Sequence, residues 1–215
     1  MTVPDILRRA ALRKLDWIAI SDHDAFQGSL EAQQRAAEFG VGVIPSCEVS
    51  TQEGHLLTLF VQQAIPPGLP LVETVRRAAD LGGLCVAAHA FAMDSNSVSK
   101  IELRRALEQA GVSDVLVGVE VYNGGLAHFR DEEHAEALTR SMGLAVLGNS
   151  DAHVPEAIGC GVTCFPGQRA EDLRTALRTR QTTFHEYFSP SPLTIGVGWF
   201  VRYALRKLRQ RLGQH

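Results

Sequence analysis

The segment WIAISDHDAFQG at residues 17–28 ends an apolar run with two carboxylates that flank an imidazole: Asp22, His23 and Asp24. Imidazole and carboxylate groups together are typical ligands of zinc, manganese and iron. The same residues are also common in turns and at the N-termini of helices, where aspartate accepts backbone N–H groups. This segment alone therefore leaves a metal site and a polar turn as alternatives.

Residues of the same chemical types adjoin five further apolar runs of the chain. They are Glu48, His55, His89, Glu120 with Asn123, and Asp151 with His153. In parallel α/β folds the carboxyl ends of the strands form one edge, where functional groups collect. Unrelated turns would not be expected to converge in this way, so the whole pattern favours a metal site. A bridging carboxylate suits a site with more than one metal.

The elements that must position these residues alternate along the chain. Strands are predicted at residues 17–20, 41–46, 56–61, 84–88, 115–121, 144–147 and 162–165. Helices are predicted at residues 4–14, 30–39, 71–81, 100–110, 132–142 and 170–178. Several strands lack an alternation of apolar and polar residues, which favours a parallel sheet covered by helices on both faces. Repeated strand–helix units of this size build a barrel or a doubly wound sheet.

Composition and charge narrow the class of protein. The 215 residues are 45% hydrophobic and carry a formal charge of −3, which suits an ordinary globular chain and gives no general reason to expect nucleic acid as a partner. The four cysteines include no CxxC pair, so we expect buried, reduced thiols instead of a zinc finger or a redox pair. No secretory leader and no apolar run of membrane-spanning length is apparent, so a cytoplasmic location is expected.

A basic segment at the C-terminus is predicted to be separate from the body. We assign residues 1–188 to one domain and residues 189–215 to a linker, which begins with SPSP, and an amphipathic helix. The apolar stripe of this helix comprises Val201, Ala204, Leu205, Leu208 and Leu212, and five basic residues accompany it. Such a helix is compatible with an anionic membrane surface or nucleic acid. Without these five basic residues the chain has 16 basic and 24 acidic residues, so we favour packing of the helix on this acidic body or on a second copy of the chain.

Five motifs, in order and spacing, resemble the polymerase and histidinol phosphatase (PHP) family of metal-dependent phosphoesterases. They are LDWIAISDHDAFQG, IPSCEVST with GHLLTLF, AAHAF, GVEVYNG and GNSDAH. The later stretch GCGVTCFPGQRAEDLRTAL is similar to the end of the small phosphoesterases of this family. The resemblance extends over residues 2–187. It implies an α/β fold, a distorted seven-stranded TIM-like barrel with up to three divalent metals, Mn, Zn or Fe, in a cleft at the strand ends.

The resemblance also implies a role for each of the residues above. The metal ligands by position are His23, Glu48, His55, His89, Asp151 and His153. Glu48 matches the carboxylate that bridges two metals, and Asp151 is expected to hold a metal and accept the proton of the attacking water, so both are expected to act in catalysis. Supporting positions in the cleft are Asp22, Asp24, Glu120 and Asn123. Arg130 and Lys100 are weaker candidates for phosphate contacts, and solvated helix-end cations are the alternative.

The chain departs from the family pattern at its start. The family opens with a His-x-His strand, whereas MTVPDILRRA aligns with the first helix, so the first strand of the barrel is expected to be missing. On this mapping only Glu48, His55 and His89 form a complete ligand set. A start assigned too far downstream and a truncated descendant remain alternatives.

The expected activity is hydrolysis of a small phosphate ester, nucleotide or short oligonucleotide by a metal-activated water. No long nucleic acid is expected as a partner, because the body offers no extended basic track. The rival hypothesis is a non-catalytic PHP-like module that binds a metal or a phosphorylated ligand.

Overall fold

The computed structural model describes residues 1–92, 96–125, 131–189 and Val197. The helices are α1 Val3–Leu12, α2 Gln27–Phe39, α3 Leu71–Asp80, α4 Lys100–Leu107, α5 Glu132–Ser141 and α6 Ala170–Thr179. The strands are β1 Trp17–Ala19, β2 Gly42–Ile44, β3 Ser46–Ser50, β4 His55–Leu59, β5 Leu84–Ala87, β6 Leu116–Asn123, β7 Ala145–Asn149, β8 Gly161–Cys164 and β9 Thr183–Glu186. The predicted alternation of strands and helices is confirmed.

The central sheet contains five strands in the order β3-β4-β5-β6-β7. Strands β5, β6 and β7 pair in parallel, whereas β4 is antiparallel to both of its neighbours. The prediction of a parallel sheet is therefore wrong for β4. The turn between β3 and β4 explains the difference: Thr51 N donates to Gly54 O at 3.1 Å, and so short a turn cannot make the crossover that parallel strands need.

Pro45 divides the strand that was predicted at residues 41–46. Up to Ile44 the chain pairs with β1, and from Ser46 onward it pairs with β4. Proline has no N–H group to donate to a ladder, so the change of neighbour falls at this residue. Beyond it, a single parallel bridge joins His23 to Glu48, which keeps the loop after β1 alongside β3.

The central sheet is buried on both faces. On one face, Val119 of β6 belongs to the same apolar cluster as Val75 of α3 and Leu103 of α4. On the other face, Leu147 of β7 clusters with Leu177 of α6. Since both faces are apolar and covered, polar side chains that must meet can do so only at an edge formed by strand ends.

The described strands form three hydrogen-bonded sheets, of two, five and two strands, and no closed barrel occurs among them. Strands β8 and β9 form an antiparallel pair against β7, where Gly148 N donates to Thr163 Oγ at 3.1 Å. Strand β9 was not predicted, because it lacks an apolar run. Its residue Phe184 stacks on Tyr122 with ring centroids 6.4 Å apart.

Two expectations for the C-terminal segment are not tested by the fold. The amphipathic stripe at residues 201–212 lies outside the described residues, so the division at residue 188 stays a prediction.

Across the described parts of the chain, no helix combines the length and the apolar character needed to cross a membrane.

Candidate metal centre

Side chains from six strands or strand ends gather along one edge of the fold. His23 follows β1, Glu48 lies in β3, His55 begins β4, His89 follows β5, Glu120 and Asn123 lie in β6, and Asp151 and His153 follow β7. Glu48 and Asn123 were expected just after their strands, but β3 and β6 continue through them. His55 reaches the same edge because β4 is antiparallel and starts where its neighbours end.

Glu48 is the centre of the group. Its Oε1 atom lies 3.0 Å from Nδ1 of His55 and 3.2 Å from Nε2 of His89. Its Oε2 atom lies 3.8 Å from Nε2 of His23. One carboxylate is thus within reach of three imidazole rings, which come from three different segments of the chain.

The geometry of this group fits a metal ion. Within the described residues, His23, Glu48 and His55 each offer a ligand atom, and these atoms all lie within 4.8 Å of one another. His89 adds a further nitrogen close to the same carboxylate oxygen. A mixed set of imidazole and carboxylate donors suits zinc, manganese or iron.

The environment of Glu48 keeps it ionised. Burial raises the pKa of Glu48, but hydrogen bonds from His55 and His89, together with the nearby His23, outweigh burial and lower the pKa to about 2. A ligand carboxylate must be deprotonated to bind a metal. The carboxylate is therefore in the required state throughout the physiological range of pH.

His89 is held at its backbone and at its ring. Its backbone N–H donates to Oε2 of Glu120 at 2.6 Å, and its Nδ1 atom lies 3.1 Å from Oγ of Ser97. Burial lowers the pKa of His89, but Glu48, Glu120 and Asp151 outweigh burial and raise it. Ser97 was not predicted as a site residue, because no motif marks a serine eight positions after the histidine.

Glu120 and Asn123 support His89 from β6. Asn123 Nδ2 donates to the same Oε2 atom of Glu120 at 3.0 Å. Burial raises the pKa of Glu120, and the nearby charge of Asp151 raises it further, while the hydrogen bonds from Asn123 and from the backbone of His89 act against this. The contact with the His89 backbone makes Glu120 a support for that histidine.

Asp151 and His153 lie beyond the tight group around Glu48. His153 Nδ1 is 3.0 Å from the backbone oxygen of Asp151 and 3.6 Å from its Oδ1 atom. The negative charge of Asp151 helps to raise the pKa of His89, so the ends of β5 and β7 face a common space. The side chains of His153 and His23 are 58% and 51% exposed, whereas that of His89 is 7% exposed, so the site opens towards solvent on the side of His23 and His153.

The two aspartates that flank His23 have structural contacts. Asp24 accepts hydrogen bonds from the backbone N–H and the hydroxyl of Ser50, both at 2.8 Å, and so ties the loop after β1 to β3. Oδ2 of Asp22 lies so close to Gly28 that a Cβ atom there would be 2.2 Å away. Gly28 therefore provides the space for this carboxylate beside the first turn of α2.

Three of these residues have a left-handed backbone: φ is +52° at Asp24, +32° at His89 and +43° at Asp151. Such conformations cost about 1–3 kcal/mol each in a non-glycine residue and occur preferentially at functional sites. His89 and Asp151 each lie two residues past the end of a strand, and Asp24 directly follows the isolated bridge at His23, so all three lie where the chain leaves its pairing with a neighbouring strand.

Neither of the weaker candidates for phosphate contacts is found in this group among the described residues. Lys100 is exposed at the first position of α4. Arg130 lies outside the described residues. His134 and His185 belong to none of the five motifs, and both are exposed on the surface.

Parts of this chain are similar to known sequences. The family described as PHP-associated matches residues 130–182. The uncharacterized protein MJ1587 of Methanocaldococcus jannaschii is 33% identical over 127 residues, which are 59% of this chain and 67% of that protein.

Two solved structures share the fold. A two-domain protein from Bacteroides vulgatus that contains a predicted PHP-like metal-dependent phosphoesterase superimposes with a TM-score of 0.69 at 19% identity, and the match covers 91% of this chain and 64% of that one. A protein from Bifidobacterium adolescentis, proposed to be a metal-dependent phosphoesterase, superimposes with a TM-score of 0.63 at 16% identity, over 82% of this chain and 90% of that one. This chain thus spans less than two thirds of the Bacteroides protein. The five sequence motifs, the matched segment and the shared fold together show that this chain belongs to the PHP family.

Proposed function

We propose that this chain is a metal-dependent phosphoesterase that hydrolyses a small phosphate ester, a nucleotide or a short oligonucleotide. The observation that carries the proposal is the buried carboxylate of Glu48 within reach of His23, His55 and His89. Structural neighbours described as phosphoesterases support the same class of reaction.

Each residue has a role in this proposal. Glu48, His55 and His89 would hold a divalent metal, Mn, Zn or Fe, and His23 and His153 would offer ligands to further metals on the open side. Such a metal would supply a bound water of lowered pKa and would neutralise charge on the phosphate. Asp151 accepts a proton from the attacking water. The phosphate approaches from the side of His23 and His153, where the side chains are exposed.

We also propose a barrel architecture for this chain. We expect the described strands to belong to the distorted barrel that is implied by the resemblance to the family. Within the described residues β1 pairs only with β2, so its other edge is where such a barrel would continue.

A non-catalytic binding module is the second candidate. It is favoured by one observation: among the described residues the tight group of ligand atoms comprises His23, Glu48 and His55, and Asp151 and His153 are not part of it. A chain that holds one metal in this way could bind a phosphorylated ligand without hydrolysing it.

The test compares metal content with turnover in the 215-residue chain purified from manganese-supplemented medium. Metal per chain is measured by elemental analysis, and hydrolysis is followed with a chromogenic phosphomonoester and a chromogenic phosphodiester. We expect bound metal, and turnover that falls by at least about 100-fold in Asp151→Asn, because general base catalysis contributes at least that much. Bound metal without turnover on either ester would favour the binding module, and a chain that binds no metal would overturn both.

A further inference from the structure

The segment at residues 96–98 lies across the turn that leads into β4. His55 N donates to Asn96 O at 2.8 Å, and Phe91 N donates to Val98 O at 3.2 Å. A Cβ atom on Gly54 would lie 2.6 Å from Val98 N, so only glycine lets the two segments come this close. The position of Ser97 is therefore fixed by backbone contacts on both sides of it.

Ser97 contacts the imidazole ring of His89 on the side opposite to Glu48. Its Oγ atom lies 3.1 Å from Nδ1, while Nε2 lies 3.2 Å from Oε1 of Glu48. Ser97 is only 8% exposed, so water does not readily replace its hydroxyl. Both nitrogens of the ring are thus engaged, and the ring has one orientation in which both contacts are kept.

A hydroxyl suits this position because it both donates and accepts hydrogen bonds. When Nε2–H donates to Glu48, the hydroxyl of Ser97 can donate to a neutral Nδ1. When Nε2 gives its lone pair to a metal, Nδ1–H can donate to Oγ of Ser97 instead. An alanine at this position would leave the buried Nδ1 atom without this partner in both states.

We propose that Ser97 is a positioning residue for the metal centre: it orients the ring of His89 so that Nε2 binds the metal beside Glu48. This inference rests on the proposed function, because it requires a metal at this group. Glu120 fixes the backbone of His89 through the 2.6 Å contact with its N–H group, and Ser97 fixes the rotation of the ring.

The test measures the affinity of the full chain for Mn²⁺ and Zn²⁺ by titration calorimetry. We expect Ser97→Ala to bind about 10–100-fold more weakly, the usual cost of removing a partner of a ligating histidine. Ser97→Thr keeps the hydroxyl, and we expect it to restore most of the affinity. Ser29→Ala is the matched control, since Ser29 is 1% exposed and its Oγ atom accepts a hydrogen bond from Ser46 N without contacting a histidine.

A second measurement uses the wild-type chain and so does not depend on whether the alanine variant folds. Nitrogen-15 NMR of the zinc-loaded chain, with His89 assigned from the resonances lost in His89→Gln, shows which ring nitrogen carries the proton. We expect the proton on Nδ1 and the metal on Nε2.

The outcomes separate this inference from the proposed function. Alanine and wild-type chains of equal affinity, a threonine variant as weak as the alanine variant, or a proton on Nε2 would each overturn the role of Ser97 while leaving the metal centre intact. A loss in Ser29→Ala as large as in Ser97→Ala would also overturn it. A wild-type chain that binds neither metal would overturn both.

Discussion

Nε2 of His89 lies 3.2 Å from Oε1 of Glu48, although the two residues are 41 positions apart in the sequence. The sheet explains the contact. Glu48 in β3 pairs with Leu57 in β4, and Leu57 pairs with Val86 in β5. Glu48 and Val86 are therefore in register across the sheet. His89 follows shortly after Val86, at the end of β5. The two side chains therefore meet across the start of β4.

Replacement of Glu48 by glutamine should weaken metal binding more than any change in a supporting residue. The amide keeps the size of the side chain but removes the charge that faces three histidines. We expect the affinity for Mn²⁺ to fall by more than about 100-fold, since loss of an outer partner alone costs 10–100-fold. Titration calorimetry on the purified variant measures the change.

Glu38→Gln is the control for Glu48→Gln. Glu38 is exposed on α2 and pairs with Arg35 at 2.9 Å, away from the histidines, so its removal should leave metal binding unchanged. If Glu48→Gln retains the affinity of the wild-type chain, the assignment of Glu48 as a ligand is wrong.

Asp24 should matter for stability, because its carboxylate joins the loop after β1 to Ser50 through two hydrogen bonds of 2.8 Å. We expect Asp24→Ala to lower the free energy of unfolding by about 2 kcal/mol, because a hydrogen bond to a charged group contributes about that much to stability. Asp24→Asn should lower the free energy of unfolding by less, because asparagine keeps one side-chain acceptor and tolerates the φ of +52°. Urea denaturation of both variants measures the difference, and an alanine variant as stable as the wild type would contradict the role.

The buried thiols should be unreactive in the folded chain. Burial raises the pKa of Cys47 to about 11, and burial raises the pKa of Cys85 to about 12. Since the thiolate is the reactive form, at pH 8 roughly one thousandth or less of either thiol is available. We expect iodoacetamide to label neither cysteine before denaturation and both after it, as judged by peptide mass mapping. Cys164, which is only partly buried, serves as the internal comparison.

Asp172 should give the stability of the chain a dependence on pH in the acid range. Hydrogen bonds from the Arg169 side chain and from the backbone N–H groups of Arg169 and Gln168 lower the pKa of Asp172 from 3.8 to about 2. Because the folded chain favours the ionised form, this stabilisation is fully present above pH 4 and is lost as the pH falls towards 2. The group is exposed, so we expect only a small effect.

Calorimetric melting of Asp172→Asn and the wild-type chain tests this linkage. The difference in Tm between the two chains should be constant from pH 7 to pH 5 and should fall towards zero between pH 4 and pH 2. A difference that stays the same down to pH 2 would show that the carboxylate gains nothing from Arg169 in the folded chain.

Most helices and strands of this protein could be predicted from short stretches of sequence, since apolar periodicity reports which side of an element is buried. The helix predicted at residues 71–81 is α3 Leu71–Asp80, and the strand predicted at residues 84–88 is β5 Leu84–Ala87. The direction of β4 and the existence of β9 were not predicted. Both depend on pairing with another segment, and a single stretch of sequence does not contain that information.

The sequence by itself determined the types of side chain that adjoin the strand ends, and a polar residue beside a buried strand marks the edge of a sheet. Only the tertiary structure decided which of these groups meet. The antiparallel direction of β4 brings His55 to Glu48, and the packing of residues 96–98 against Gly54 brings Ser97 to His89. These contacts join residues that are distant in the chain or separated by an irregular loop, and neither register nor loop packing follows from local periodicity.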